Sequence, residues 1–385
     1  MKPEPLRILF VTHVPNMAGA NRSMFQLIKE LKDFYHCFIV VIGPVCPDDA
    51  LIRKKFQEID VRYIDAPIEF FKKPYPHPWK SFVKHLAFLW RNRHFHKSLL
   101  QFNFNIVHSN SSVIDCGAWI SKQLHCVHVW HLREFGDIDY NYYPLGGRLY
   151  ERYVYRKAKA YIAISMAVKE HFYNKIPSRK IHLIYNGVSP VKRNLWTKHK
   201  NDKVEFLCAG IINETKNQME IIMAIDELVN KRGVKDFHLT LLGLPNLDYT
   251  HKIQLYAKEK RITDFITILS ESDGIQEIAS GMDVGIVPSR AEAFGRVTVE
   301  YMLQNLLVIA NNQGANTEII NDGETGFIYP AKNVHALAQK MQEIINNRQL
   351  LRQISQNGNQ FARKHFLSIY NTKGVYALYQ QLVSE

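Results

Sequence analysis

Short runs of apolar, largely β-branched residues alternate with helix-period stretches along the whole chain. "LRILFVTH" (6–13), "HCFIVVIG" (36–43), "VRYIDA" (61–66), "NIVHSN" (105–110), "VHVWHLR" (127–133), "AYIAIS" (160–165) and "KIHLIYNG" (180–187) read as strands. Helical stretches such as 21–32 and 150–159 lie between them. A second series follows: "VEFLCAG" (204–210), "FHLTLLG" (237–243), "FITILS" (265–270), "DVGIVPS" (283–289) and "LLVIAN" (306–311). Near-continuous apolar strands separated by helices predict parallel sheets covered on both faces. The stretch "SPVKRNLWTKHKNDK" (189–203) shows no periodicity and reads as a linker. The expected architecture is α/β, with two tandem doubly wound domains at 1–192 and 203–365. A helical tail, 366–385, is expected to pack back on the first domain. Ligands of such sheets bind outside the carboxyl ends of the strands, so the expected site is the cleft between the domains.

A length of 385 residues fits two domains better than one core. A hydrophobic content of 46% with 22% charged residues excludes a disordered chain. No run of 18 apolar residues occurs, so no membrane-spanning helix is expected. The start, "MKPEPLRILFVTHV", reads as a first strand instead of a signal peptide. Cys37, Cys46, Cys116, Cys126 and Cys208 form no CxxC pair, which fits free thiols in a reducing cytoplasm.

Charge changes the picture. Residues 1–195 hold 29 Lys and Arg against 15 Asp and Glu, whereas residues 196–385 hold 20 against 21. The excess peaks between Phe70 and Ile114, where Lys72, Lys73, Lys80, Lys84, Arg91, Arg93 and Lys97 occur without one acidic residue. Phe70, Phe71, Tyr75, Trp79, Phe82, Phe88, Trp90 and Phe95 are interleaved with them. Mixed cations and rings in segment 70–97 suit an anionic membrane surface. Nucleic acid is the rival partner, and a solvated helix face with an aromatic core side is the plain alternative. The expectation adopted is peripheral attachment to the inner face of the cell membrane, with no nucleic acid.

The candidate chemistry lies in "SRAEAFGRVTVEYM" (289–302), which follows a second-half strand and places Glu292 and Glu300 eight positions apart. A helix starting near Gly295–Arg296 offers free N–H groups and a positive dipole end to an anion, and Gly295 allows close approach. A carboxylate is a poor partner for phosphate and a good acceptor for hydroxyls. Phosphate at the helix end with hydroxyl-bearing groups on either side describes a nucleotide sugar. On spacing alone, Glu292 as a helix cap and Glu300 as an exposed charge remain an equal alternative.

"EAFGRVTVE" resembles the E-x7-E motif of retaining GT-B glycosyltransferases, specifically glycosyltransferase family 4. "FLCAGIINETKNQ" resembles that family's strand and phosphate-binding Lys loop. "GANTEIINDGETGFIYP", "AYIAISMAVKEHF" with "IHLIYNGV", and "LFVTHVPNMAGANRSMFQLIKEL" resemble further family motifs in the expected order, so the resemblance runs through most of the chain. It implies two Rossmann-like domains, an acceptor-binding one followed by a donor-binding one. It also implies a UDP- or GDP-sugar as donor substrate, with no prosthetic group and no metal. Glu292 would contact the transferred sugar near the reacting carbon, and His131 would lie close by as the other candidate catalytic residue. Phe294, Gly295 and Arg296 would face the donor, Glu300 would accept from the ribose, and Lys216 would neutralise the diphosphate. Gly19 would let the first-domain loop approach the diphosphate. Asn21 and Arg133 are candidate acceptor contacts, although a surface ion pair of Arg133 with Glu134 is an equal alternative. A lone strand-end histidine such as His131 is as often structural.

The chain departs from the family pattern in having Ile211 where an Arg is usual beside Gly210, and Ala18-Gly19-Ala20-Asn21 where two glycines and an acid are common. The resulting expectation is retaining transfer of a hexose to a saccharide or polyprenyl-diphosphate-linked oligosaccharide in bacterial surface-polysaccharide assembly. A GT-B sugar-nucleotide epimerase and a non-catalytic nucleic-acid-binding protein are the alternatives.

Overall fold

The computed structural model describes residues 5–74, 79–190, 203–270, 278–279 and 281–385, so Tyr75 and most of the expected linker lie outside the described residues. There are two compact units. One comprises Met1–Gly187 with Ser368–Glu385, and the other is Val188–Leu367.

The first unit is built on seven parallel strands: β1 (Arg7–Val11), β2 (Phe38–Gly43), β3 (Arg62–Asp65), β5 (Ile106–Ser109), β6 (Val127–Leu132), β8 (Ala160–Ala163) and β9 (Ile181–Leu183). Their spatial order is β3-β2-β1-β5-β6-β8-β9. A separate antiparallel pair, β4 (Lys72–Pro74) with β7 (Tyr142–Pro144), was not visible as strands in the apolar pattern. Along β1, Ile8 and Phe10 join one apolar cluster and Leu9 and Val11 the other. Both faces of the strand are therefore covered, which is why its sequence is continuously apolar instead of alternating.

The second unit has six parallel strands: β10 (Val204–Ala209), β11 (Phe237–Leu242), β12 (Ile266–Leu269), β13 (Val284–Val287), β14 (Leu307–Asn311) and β15 (Phe327–Tyr329). Their order is β12-β11-β10-β13-β14-β15. In both sheets the order reverses beside the first strand, leaving a crevice between β1 and β5 in one and between β10 and β13 in the other. The chain is thus α/β with two Rossmann-like units, as the alternation of apolar runs requires.

The last helix, Ser368–Ser384, belongs to the first unit. Its Val375, Leu378, Tyr379 and Leu382 complete the cluster around Ile8, Phe10 and Ile39. A polar clasp fixes its start. The buried Glu30 carboxylate accepts from Thr372 Oγ1 at 2.7 Å, Gln26 Nε2 at 2.6 Å and Ser368 Oγ. The backbone passes so close that a Cβ on Gly187 would lie 2.4 Å from Ser368 Cα.

Segment 70–97 does not form a single surface, contrary to the uniform basic-aromatic face that its composition suggests. Phe71 and Lys72 are core residues, and Lys72 Nζ lies 2.8 Å from the buried Glu151 carboxylate. A lysine can enter a core when a carboxylate and a hydroxyl, here Tyr155 Oη at 2.7 Å, satisfy its protons. The helix Trp79–Arg91 carries the surface character instead. Trp79, Val83, Leu86 and Trp90 are 72, 45, 40 and 64% exposed, and their spacing of four, three and four residues makes one continuous stripe. Lys80, Lys84 and Arg91 run along one flank of it. His85, on the opposite side, is buried with its ring nitrogens 2.9 Å from Asp115 and 3.1 Å from Glu69. Burial works against its charge, but the two carboxylates outweigh burial and raise its pKa. These two contacts hold the His85 side of the helix inward and leave the apolar stripe turned outward.

Replacing Glu30 by Ala leaves three donors without their charged acceptor and is expected to destabilise the protein by about 3 kcal/mol. Thr372→Val, which removes one of those bonds, should cost about 1 kcal/mol in the same urea denaturation series.

Candidate active site

The crevice between β10 and β13 brings together the loops that leave their carboxyl ends. The first loop turns through Gly210 at φ +137° and carries Lys216, and the second carries Glu292. Lys216 Nζ and Glu292 Oε1 are 2.5 Å apart. Two further bonds stitch the loops together, Arg290 N to Thr215 O at 2.9 Å and Asn217 Nδ2 to Pro288 O at 3.3 Å. A third loop, after β14, supports Glu292 from behind: Ala315 N donates to Glu292 O at 2.8 Å. Gly314 has φ +60°, and a Cβ there would sit 2.1 Å from that same oxygen, so only glycine fits.

Gly295, at φ +80°, begins the helix Arg296–Leu303. It occupies the cap position and no side chain caps the helix, so Glu292 is not the capping carboxylate that its spacing also allowed. Glu300 is not a free surface charge either, since it is half-buried and lies 3.0 Å from Arg296 Nε. Phe294 is buried, with its ring edge-on to Phe366 at 5.9 Å. The helix is held against the sheet by Tyr301, whose hydroxyl accepts from Ala209 N at 2.6 Å. Gly285 makes room for that ring, because a Cβ there would lie 2.1 Å from Tyr301 Cδ2. Neither Tyr301, Gly285 nor Gly314 was singled out from the sequence. A glycine inside a β-branched strand run was the available signal for Gly285. Ile211, where a cation was expected, is 55% exposed.

In the first unit the polar residues gather at the carboxyl ends of β1, β5 and β6. Gly19 opens the helix Gly19–Tyr35, and a Cβ there would meet nothing within 4 Å. Asn21 is fully buried, accepts from Thr12 Oγ1 at 2.6 Å and donates to Val14 O and Asn16 O at 2.9 and 2.6 Å. Its carboxamide shapes the loop after β1, a structural task that the sequence did not announce. Arg133 Nε donates to Asn110 Oδ1 at 2.6 Å and Nη1 to Asn186 Oδ1 at 3.0 Å. Glu134 accepts from Ser111 Oγ at 2.8 Å and Ser112 N at 2.5 Å. Both side chains are buried, which replaces the surface ion pair that was the alternative for them.

His131 is fully buried, with Nδ1 3.2 Å from His108 Nε2, and His108 Nδ1 is 2.5 Å from Tyr379 Oη on the last helix. Burial, then the Arg133 charge, then the neighbouring ring hold His131 well below the usual histidine pKa. Burial, then Arg133 and His128, do the same for His108. His13, which the sequence did not single out, is half-buried beside Arg133, and burial and that charge lower its pKa to about 4. These rings are neutral hydrogen-bonding groups near pH 7.

Among the described residues no three His, Cys, Asp or Glu side chains converge as metal ligands. The five cysteines are unpaired, and burial pushes the Cys37, Cys126 and Cys208 thiols up to about 12.

Residues 17–192 match the family model described as Glycosyltransferase Family 4, and residues 194–361 match that of Glycosyl transferases group 1. Among curated relatives, an uncharacterized glycosyltransferase of Methanocaldococcus jannaschii is 30% identical over 61% of this chain and 63% of its own length. The capsular polysaccharide biosynthesis glycosyltransferase CapM of Staphylococcus aureus is 26% identical over 48% of each chain. The chain thus spans from about half to just under two thirds of these relatives. Among solved structures, Anabaena HepE in complex with UDP and glucose superposes with a TM-score of 0.78 at 18% identity, covering 98% of this chain and all of that one. At that identity the likeness concerns the fold.

The buried histidines set the acid limit of the fold. His13, His108, His128 and His131 have depressed pKa values in the folded state, so below about 6.5 the unfolded chain takes up protons that the native state refuses. Stability is therefore lost as pH falls through that value. His85 and Asp139 are shifted upward and act in the opposite sense, but they are fewer. Urea midpoints are expected to fall steadily from pH 7 to pH 5, and His108→Gln should flatten the slope.

Proposed function

The chain belongs to the GT-B glycosyltransferases of the family 4 type, and from that premise we propose that it transfers a hexose from a UDP- or GDP-sugar to a hydroxyl of a saccharide or polyprenyl-diphosphate-linked oligosaccharide, with retention of configuration. The process it would serve is bacterial surface-polysaccharide assembly, in keeping with the role that the name of its relative CapM states. The observation that carries the reading is the Lys216–Glu292 pair at the switch point of the second sheet, with a helix N-terminus opening at Gly295 beside it.

Each side chain then has a task. Lys216 meets the diphosphate and stabilises the charge that develops on it as the anomeric carbon–oxygen bond breaks. The backbone amides at Phe294–Gly295 and the positive end of the Arg296–Leu303 helix add to that stabilisation. Glu292 accepts from hydroxyls of the transferred sugar, and Glu300 from those of the ribose once Arg296 yields. The acceptor oxygen bonds to the anomeric carbon on the face that the diphosphate leaves, and its proton passes to the departing phosphate oxygen. Arg290, whose backbone is tied to Thr215, supplies the second cation that Ile211 does not. Neutral His131 remains a candidate hydrogen-bonding group at the carboxyl edge of the first unit's sheet.

Attachment to an anionic membrane surface is part of the same proposal. It is supported by the exposed Trp79/Val83/Leu86/Trp90 stripe with its basic flank. No helix among the described residues is long and apolar enough to cross a membrane.

A panel of UDP, GDP, ADP and CMP tests the donor site by thermal shift. One diphosphate at about 100 times its Kd should stabilise the wild type by roughly 2.7 kcal/mol, and Lys216→Ala should lose most of that response. A response to none of the four, or one that is intact in Lys216→Ala, contradicts the assignment. Vesicle sedimentation tests the surface. Binding to vesicles containing phosphatidylglycerol should drop in Trp79→Ser/Trp90→Ser and in Lys80→Glu/Lys84→Glu, and added salt should weaken binding of the wild type more than that of Lys80→Glu/Lys84→Glu. Equal sedimentation of all three proteins would remove the membrane from the proposal.

A further inference from the structure

At the amino-terminal edge of the seven-stranded sheet, opposite the histidines and Arg133, the first unit has a second cavity of about 740 Å³. It lies where β5, β6 and β8 begin, with Asn105, Val127 and Lys159 on its wall. Five cations line it, Lys122, Arg156, Lys157, Lys159 and Lys180, and no lining residue is acidic.

Part of that charge has a plain structural reason. Lys122 lies in the last turn of the helix Cys116–Gln123, and Arg156 follows directly after the helix Gly147–Tyr155. Each helix C-terminus presents about half a negative charge, so two of them offset about one cation. Lys159 is paired with Glu385 at 3.0 Å, which offsets one more. Lys157 Nζ lies 4.2 Å from the Tyr153 ring centre and Lys180 Nζ donates to Ala158 O at 2.9 Å, but neither partner is an anion, so about three positive charges remain uncompensated. The crowding acts on Lys180, whose pKa is lowered by burial, then by Arg179 and Lys159.

A second observation is independent of the charge. His128 lines the cavity, is 2% exposed, and its Nδ1 has no hydrogen-bond partner. The other nitrogen, Nε2, is 2.9 Å from Ser109 Oγ. Burial lowers its pKa to about 3, so the ring is neutral. In the tautomer whose Nε2 accepts from the serine hydroxyl, Nδ1–H is a buried donor that no described group of the protein uses. Buried donors are ordinarily satisfied, and one on the wall of a cationic cavity points to an anionic acceptor from outside.

We propose that this cavity is a binding site for a small phosphorylated effector carrying about three negative charges, distinct from donor and acceptor. The volume lies within the range of small-molecule pockets and exceeds what a single phosphate fills. Phe104, Val127 and Val383 add an apolar floor for the body of the ligand. The site stands on the first unit alone and does not depend on the transferase reading.

The test uses inorganic pyrophosphate as probe, by titration calorimetry on the full chain. Because the Lys216 loop is expected to bind diphosphate too, the titration is run in Lys216→Ala as well as in the wild type. Saturable one-to-one binding should persist in Lys216→Ala. Adding Lys122→Glu/Arg156→Glu, both exposed positions, should weaken it at least about tenfold, or 1.4 kcal/mol. His128→Asn, which leaves the net charge unchanged, should weaken it as well. On an otherwise wild-type chain, Lys122→Glu/Arg156→Glu should retain its thermal response to nucleotide, which shows that it is folded. Loss of pyrophosphate binding in Lys216→Ala, non-saturable binding there, or unchanged affinity in either cavity variant overturns the proposal.

Discussion

The second unit is organised around one ion pair, Lys216 with Glu292. The two side chains reach each other because β10 and β13 are neighbours whose following helices leave to opposite faces of the sheet. Only at such a reversal do two loops face one another across a crevice. An ion pair that is largely shielded from water adds little to stability, since desolvation of its members offsets most of their attraction. Its position at the carboxyl edge is therefore better explained by chemistry than by folding. On the proposed reading, the carboxylate keeps the lysine in place until a stronger anion, the donor diphosphate, arrives.

The supporting shell is rigid for reasons that can be named. Glu292 is fixed from behind by the loop that contains Gly314, where a side chain would strike its carbonyl. The helix that carries Glu300 is fixed to the sheet by the Tyr301 hydroxyl, and that contact exists because Gly285 leaves the strand surface bare. In the first unit the equivalent work is done by amides and serines: Asn21 shapes the loop after β1, Asn110 and Asn186 orient Arg133, and two serine-contributed donors hold Glu134. Tyr379 reaches His108 from the last helix, so residues more than two hundred positions apart fix the orientation of the histidine pair.

The fold was legible from the sequence because parallel strands buried on both faces must be continuously apolar, and twelve such runs left little choice of class; of the parallel strands only the three-residue β15 (Phe327–Tyr329) escaped that reading. The loops that bring Lys216 to Glu292 were legible because motif and spacing coincide there. Other features were hidden by the nature of the signal. Composition marked 70–97 as one basic surface, but it cannot register that Lys72 finds Glu151 and Tyr155 in the core, since those partners come from distant sequence. Asn21 looked like a ligand contact because its loop resembles a binding loop, whereas its hydrogen bonds go to the loop itself. The role of Gly314 depends on a backbone oxygen 22 positions away, and no local pattern records that.

The claim that Lys216 is held in reserve by Glu292 has a direct test, calorimetric titration of Glu292→Gln with the nucleoside diphosphate that the wild type binds. Removing the carboxylate charge frees the lysine and removes an anion from beside the phosphate site. The account predicts that the diphosphate then binds at least as tightly as to the wild type, while sugar transfer is lost. A Glu292→Gln protein that folds normally but binds the diphosphate much more weakly would contradict it, and would make Glu292 a support of the phosphate site instead of its competitor.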